Sequence, residues 1–106
     1  MVLAVIHNPL FTAELPADHR FPMPKYAAVA ELLLAEGIVA PGGFHSPGPA
    51  PAEWVALAHD RGYVDQVFEA MVPEAINRLI GFAVTPGVAA RARHAAAGTV
   101  LTGRLA

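Results

Sequence analysis

The chain has 106 residues, of which 55% are hydrophobic and only 15% are charged, and its formal net charge at pH 7 is −2. It has no basic run and no cysteine, which argues against nucleic-acid binding, a disulfide framework and a thiolate metal site. No apolar stretch approaches the ~20 residues of a membrane span, so we expect no membrane partner and a cytoplasmic location.

The low charge also bears on the surface. A domain of this size leaves about a third of its potential surface in water, and such a surface normally carries more charge. One explanation is an alanine-rich composition without structural meaning. The other is a segment whose surface is covered by protein outside the sequence. We favour a mixture of the two that leans to the second.

The first predicted element is a strand over residues 2–6, a continuous apolar run with two valines and one isoleucine. Such a run is typical of a strand buried on both faces of a parallel sheet. A proline-marked loop at residues 10–24 follows it.

The central predicted element is an apolar helix over residues 25–36, which Gly37 ends with a left-handed turn. One stripe of this helix carries Tyr26, Val29, Ala30 and Leu33. Leu32 and Leu34 widen the stripe, so the helix needs cover over most of its circumference.

Four further helical stretches are predicted after a Pro- and Gly-rich loop at residues 41–51. The first starts near Pro51, the second spans residues 63–71, and the third spans residues 73–79 and closes at Gly81. The predicted inward residues of the first two are Trp54, Leu57, Ala58, Val64, Val67, Phe68 and Met71.

The last helix begins at Thr85-Pro86, a capping residue followed by a proline. Its predicted stripe is Val88, Ala92, Ala95 and Thr99, and Gly98 and Gly103 allow close backbone approach. One strand has no partner for its hydrogen bonds. The predicted fold class is therefore α/β, with residues 1–106 forming the incomplete N-terminal part of one parallel-sheet domain.

The residues themselves predict no catalytic or metal site. The five histidines show no metal-ligand spacing, and the single serine, Ser46, lies in no nucleophile motif. We place four carboxylates, those of Asp60, Asp65, Glu69 and Glu74, at helix ends and on solvent faces. His59, Asp60 and Tyr63 are interpreted as a helix junction.

Several spacings nevertheless resemble the N-terminal part of the histone deacetylase superfamily. They are His19-x-Phe21-x-x-x-Lys25-Tyr26, the apolar helix closed by Gly37, Leu57-x-His59-x-x-x-Tyr63-Val64, and a tail from Arg78 to Ala106. The closest likeness is to the bacterial class IV-like branch, with its acetoin-utilisation and acetylpolyamine amidohydrolase relatives. The chain departs from that branch at residues 81–84, where an acidic rim residue and a Pro-Trp pair are expected.

This resemblance implies an arginase-like parallel sheet and a zinc-dependent deacylase acting on acyl-amine or acyl-lysine substrates. The family places its zinc ligands and catalytic residues downstream of Ala106, so none is expected in this chain, and no zinc is expected for the chain alone. Carried over by position, Lys25, His19 and Phe21 would line the substrate channel. An exposed first-turn lysine is the alternative for Lys25.

Three functional hypotheses follow. The first is an inactive N-terminal segment of a deacylase, whose small-molecule or acyl-lysine substrate would bind only the complete protein. The second is a small helical protein that binds a partner without catalysis. The third is a complementing subunit whose other half is encoded separately. Self-association through exposed apolar helices is compatible with each of them.

Overall fold

The computed structural model describes residues 3–106, which form one 3-10 turn and five α-helices. The turn spans Pro9–Phe11 and opens at Asn8, whose side chain accepts a hydrogen bond from the Leu10 amide. The helices are α1 (Lys25–Ala35), α2 (Ala52–Val55), α3 (Arg61–Phe68), α4 (Glu74–Ile80) and α5 (Pro86–Leu105).

The predicted α/β fold is wrong, because residues 3–106 contain no β-strand. Of the predicted strand at residues 2–6, residue 2 lies outside the described residues. The rest pairs at a single parallel bridge between Ile6 and His45. The His7 amide donates to the His45 carbonyl at 3.0 Å, and the His45 amide donates to the Val5 carbonyl at 2.9 Å. Pairing ends there because the Pro/Gly-rich loop after His45 cannot continue a ladder.

Helix α5 is the element on which the others pack. Thr85 caps its first turn by accepting a hydrogen bond from the Val88 amide at 3.2 Å, and Pro86 occupies its first position. Its closest neighbours are the 3-10 turn and α3. The residues it buries are Val88, Ala89, His94, Ala97 and Gly98. The predicted stripe is therefore wrong at Ala92 and Thr99, which are exposed, whereas Ala95 is half-buried.

Helix α3 confirms the second of these predicted helices, which was placed at residues 63–71. The observed helix starts two residues earlier and ends three residues earlier. Asp60 caps it through the Tyr63 amide at 3.3 Å, and Val64 is 1% exposed against α5. The predicted inward face of α2 is wrong. This helix has only four residues, so Leu57 lies beyond its end and is 89% exposed.

The main apolar core lies where the loop before α1 meets the start of α5. Its buried residues are Ala13, Met23, Val84, Val88 and Ala89. Half-buried side chains from the loop, α1, α3 and α4 close around them. The core is small and lies at one end of α5, so much of the remaining chain is spread over the surface.

The molecule is a thin slab of 46 × 33 × 16 Å. Its radius of gyration is 15.3 Å, whereas a compact domain of this length has about 13 Å. Its accessible surface is 7102 Å², whereas a folded monomer of its mass exposes about 5,700 Å². The shape therefore leaves about 1,400 Å² more surface in water than a compact fold would.

Candidate functional site

The three residues predicted to line a channel lie beside one another before and at the start of α1. His19 is half-buried, and its Nδ1 accepts a hydrogen bond from the Phe21 amide at 3.1 Å. Its Nε2 therefore carries the proton and donates to the Gly81 carbonyl, also at 3.1 Å. Phe82 packs against the imidazole edge, with ring centroids 5.6 Å apart. In this arrangement His19 fastens the loop to the end of α4.

Phe21 and Tyr26 form a stacked pair, with centroids 6.5 Å apart and planes inclined by 28°. The Lys25 ammonium lies 5.1 Å from the centre of the Phe21 ring and 5.2 Å from that of Tyr26. The Arg91 guanidinium lies 5.4 and 5.2 Å from the same two centres. Two cations thus lie within cation–π range of one aromatic pair, and each cation–ring contact is favourable by itself.

Arg91 is the residue of this cluster that the sequence reasoning missed. Its Nε donates to the Phe11 carbonyl and its Nη2 to the Tyr26 hydroxyl, each at 2.9 Å. It therefore connects α5 with the 3-10 turn and with α1. The sequence could have indicated this role, because Arg91 is a charged residue surrounded mostly by alanines in the last predicted helix.

The described side chains give the cluster aromatic packing and two positive charges. Within residues 3–106, the ion pair formed is Arg61–Asp65 at 3.0 Å, so neither Lys25 nor Arg91 has a carboxylate partner there. The described part of the chain also holds no group of three side chains able to bind a metal. A channel-lining role for Lys25, His19 and Phe21, and zinc in a longer protein, stay predictions.

Two apolar grooves flank these elements. One, of about 350 Å³, runs between α1 and the bridge segment and is lined mainly by Val5, Ile6, Val29, Leu33 and Phe44. The other, of about 250 Å³, lies between α3 and α5, with His59 and Tyr63 among its lining residues. Polar groups contribute little to either one.

Helix α1 is the most exposed apolar element near the cluster. Tyr26, Ala30 and Leu33 of the predicted stripe face inward, whereas Val29, the fourth member, is 55% exposed. Leu32 is also 55% exposed. Helix α1 is not among the closely packed helix pairs of the described chain. Within residues 3–106, α1 therefore keeps part of its predicted apolar surface exposed, and its need for cover stays a prediction.

The described helices include none that is both long enough and apolar enough to cross a lipid bilayer.

Comparison with known proteins adds one relative. No protein-family model matches the chain. All 106 residues align at 33% identity with an uncharacterized protein of Picosynechococcus sp., and they cover 35% of that protein. The chain thus spans about a third of the length of the curated relative that it matches.

These findings correct the predicted resemblance to the histone deacetylase superfamily. No model of a family matches, the relative carries no deacetylase name, and residues 3–106 lack the strands of an arginase-like sheet. The descriptions as a hydrolase, amidohydrolase or deacetylase have no support from these findings. The assignment is corrected to a small, mostly helical chain similar to an uncharacterized protein. Deacylation by a longer protein stays an untested prediction.

Proposed function

We propose that this chain is a helical interaction module that acts by docking an apolar surface on further protein. The observation that carries the proposal is the surface of 7102 Å² on a slab 16 Å thick. The excess over a compact monomer, about 1,400 Å², is larger than the roughly 800 Å² that each partner buries in a standard-size protein interface.

The exposed side chains fit this role. Apolar residues stand in solvent on α1, at Val29 and Leu32, and on the α2–α4 side, at Leu57 and Leu79. Covering one such side chain contributes ~1.5–3 kcal/mol. An 11-residue helix such as α1 is also too short to be stable without packing. Docking would therefore stabilise α1 as well as remove apolar surface from water.

In this proposal the apolar surface is covered by protein. Docking takes place in the cytoplasm and needs no cofactor. The relative from Picosynechococcus is almost three times as long as the aligned segment. This length supports a continuing polypeptide as one source of cover for the module. Other copies of the same chain are a second source, and exposed apolar residues lie on several elements.

Two measurements on the purified 106-residue chain test the proposal. Light scattering coupled to gel filtration gives its oligomeric state, and the fluorescence of anilinonaphthalene sulfonate reports accessible apolar surface. We expect concentration-dependent association, dye binding, or both. A monomer that melts cooperatively and binds no dye would contradict the proposal, because its apolar surface would then need no cover.

A further inference from the structure

Resting on the proposed function, we propose that a second copy of this chain docks on α1, with the two α1 helices antiparallel about a two-fold axis. The face involved consists of Lys25, Val29, Leu32 and Glu36. Their spacing of four, three and four residues places them within about 60° of one another around the helix. All four are exposed. The spacing is that of a coiled-coil seam.

The order of residues along this face is self-complementary. It reads positive, apolar, apolar and negative from the start of α1 to its C-cap. In an antiparallel pair, Lys25 lies opposite Glu36 of the partner subunit, and Val29 lies opposite Leu32 of the partner subunit. The two-fold axis repeats both contacts, as an isologous interface requires. A parallel pair in register would instead place like charges opposite each other.

Neither charge of the face is neutralised within the described residues. The ion pair there joins Arg61 and Asp65, so Lys25 and Glu36 are free to pair between subunits. The Lys25 ammonium lies near the Phe21 and Tyr26 rings, and the Lys25 side chain is exposed. An ammonium has three donors and the rings accept none of them as a carboxylate would, so it can still pair with one. Charge complementarity therefore selects this chain itself as the occupant of the face.

The size of the seam sets its strength. Helix α1 has 11 residues and is about 16 Å long. An interface of this length falls at the small end of specific contacts, so we expect an exchanging dimer with a micromolar dissociation constant.

Sedimentation equilibrium of the 106-residue chain measures the dimer directly. Leu32→Asp places a charge in the centre of the seam and is expected to weaken dimerisation at least tenfold. Met71→Asp is the matched control, because Met71 lies outside α1 and is 71% exposed. Circular dichroism checks that both variants keep their helices.

A charge-exchange series tests the antiparallel arrangement. Lys25→Glu and Glu36→Lys each create two like-charge contacts, and we expect each to weaken the dimer about three- to tenfold. The double variant restores both pairs and should return to the affinity of the original chain. An acid at the start of α1 and a base at its end suit the helix dipole, so lost helicity would not explain weaker single variants.

Each outcome decides the point. A dimer that responds to Leu32→Asp and is restored by the double exchange supports the inference. A dimer whose affinity these variants do not change, or a monomer that binds the dye, overturns the inference. The proposed function would then rest on docking through another surface or on a different protein. A monomer that binds no dye overturns both this inference and the proposed function.

Discussion

Arg91 donates a hydrogen bond from Nη2 to the hydroxyl of Tyr26 at 2.9 Å, across 65 residues of sequence. The same guanidinium donates from Nε to the Phe11 carbonyl. These two bonds join α5 to α1 and to the 3-10 turn. Apart from them, neither α5 nor the turn packs closely on α1. Arg91 therefore holds α1 against the body of the molecule.

Replacing Arg91 should loosen this connection. Arg91→Met removes both bonds and leaves a half-buried carbonyl unpaired, so we expect the free energy of unfolding to fall by about 1–3 kcal/mol. Arg91→Lys should recover only part, because an ammonium cannot reproduce the guanidinium fork. Urea denaturation provides the measurement. Arg78→Met on exposed α4 is the control and should stay within about 0.5 kcal/mol. Equal effects at both positions would contradict the assigned role.

Two glycines of α5 give a matched pair. A Cβ added at Gly98 would lie 2.9 Å from Cζ of Phe11, whereas one added at Gly103 meets nothing within 4 Å. Alanine stabilises a helix by up to about 1 kcal/mol relative to glycine, but overpacking costs about 1–3 kcal/mol. Gly103→Ala should therefore raise the melting temperature and Gly98→Ala should lower it. A rise for both would show that the Phe11 ring moves aside freely.

The sequence predicted these local features better than it predicted their packing. The close approach at Gly98, the Thr85 cap and the stop at Gly37 are confirmed, whereas the close approach predicted at Gly103 is wrong. The cap and the stop depend on neighbours within a few residues, but Gly98 approaches Phe11, which lies near the other end of the chain. The inward faces of α2 and α5 and the parallel sheet were wrong, because burial depends on partners far along the chain. Arg91 was missed for the same reason.

The cap of α5 is expected to matter more than an ordinary surface contact. Thr85→Ala removes the acceptor for the Val88 amide and should lower stability by about 1 kcal/mol. Thr85→Ser keeps the acceptor and should behave nearly as the original chain does. Thermal unfolding followed by circular dichroism measures both variants. If alanine and serine were equally tolerated, the hydroxyl would not be capping the helix.

His19 gives a prediction that separates fastening from any role in binding a substrate. His19→Ala removes the link between the Phe21 amide and the Gly81 carbonyl, at a cost of about 1–3 kcal/mol. Because the loop before α1 would be released from α4, amides near residue 21 should exchange with deuterium faster, whereas those of α3 should not. His59→Ala is the control, since His59 is exposed and makes no side-chain hydrogen bond shorter than 3.5 Å within residues 3–106. Faster exchange confined to the loop would confirm that His19 is a fastening residue. Unchanged exchange and stability would contradict that role, because the two hydrogen bonds would then hold nothing in place.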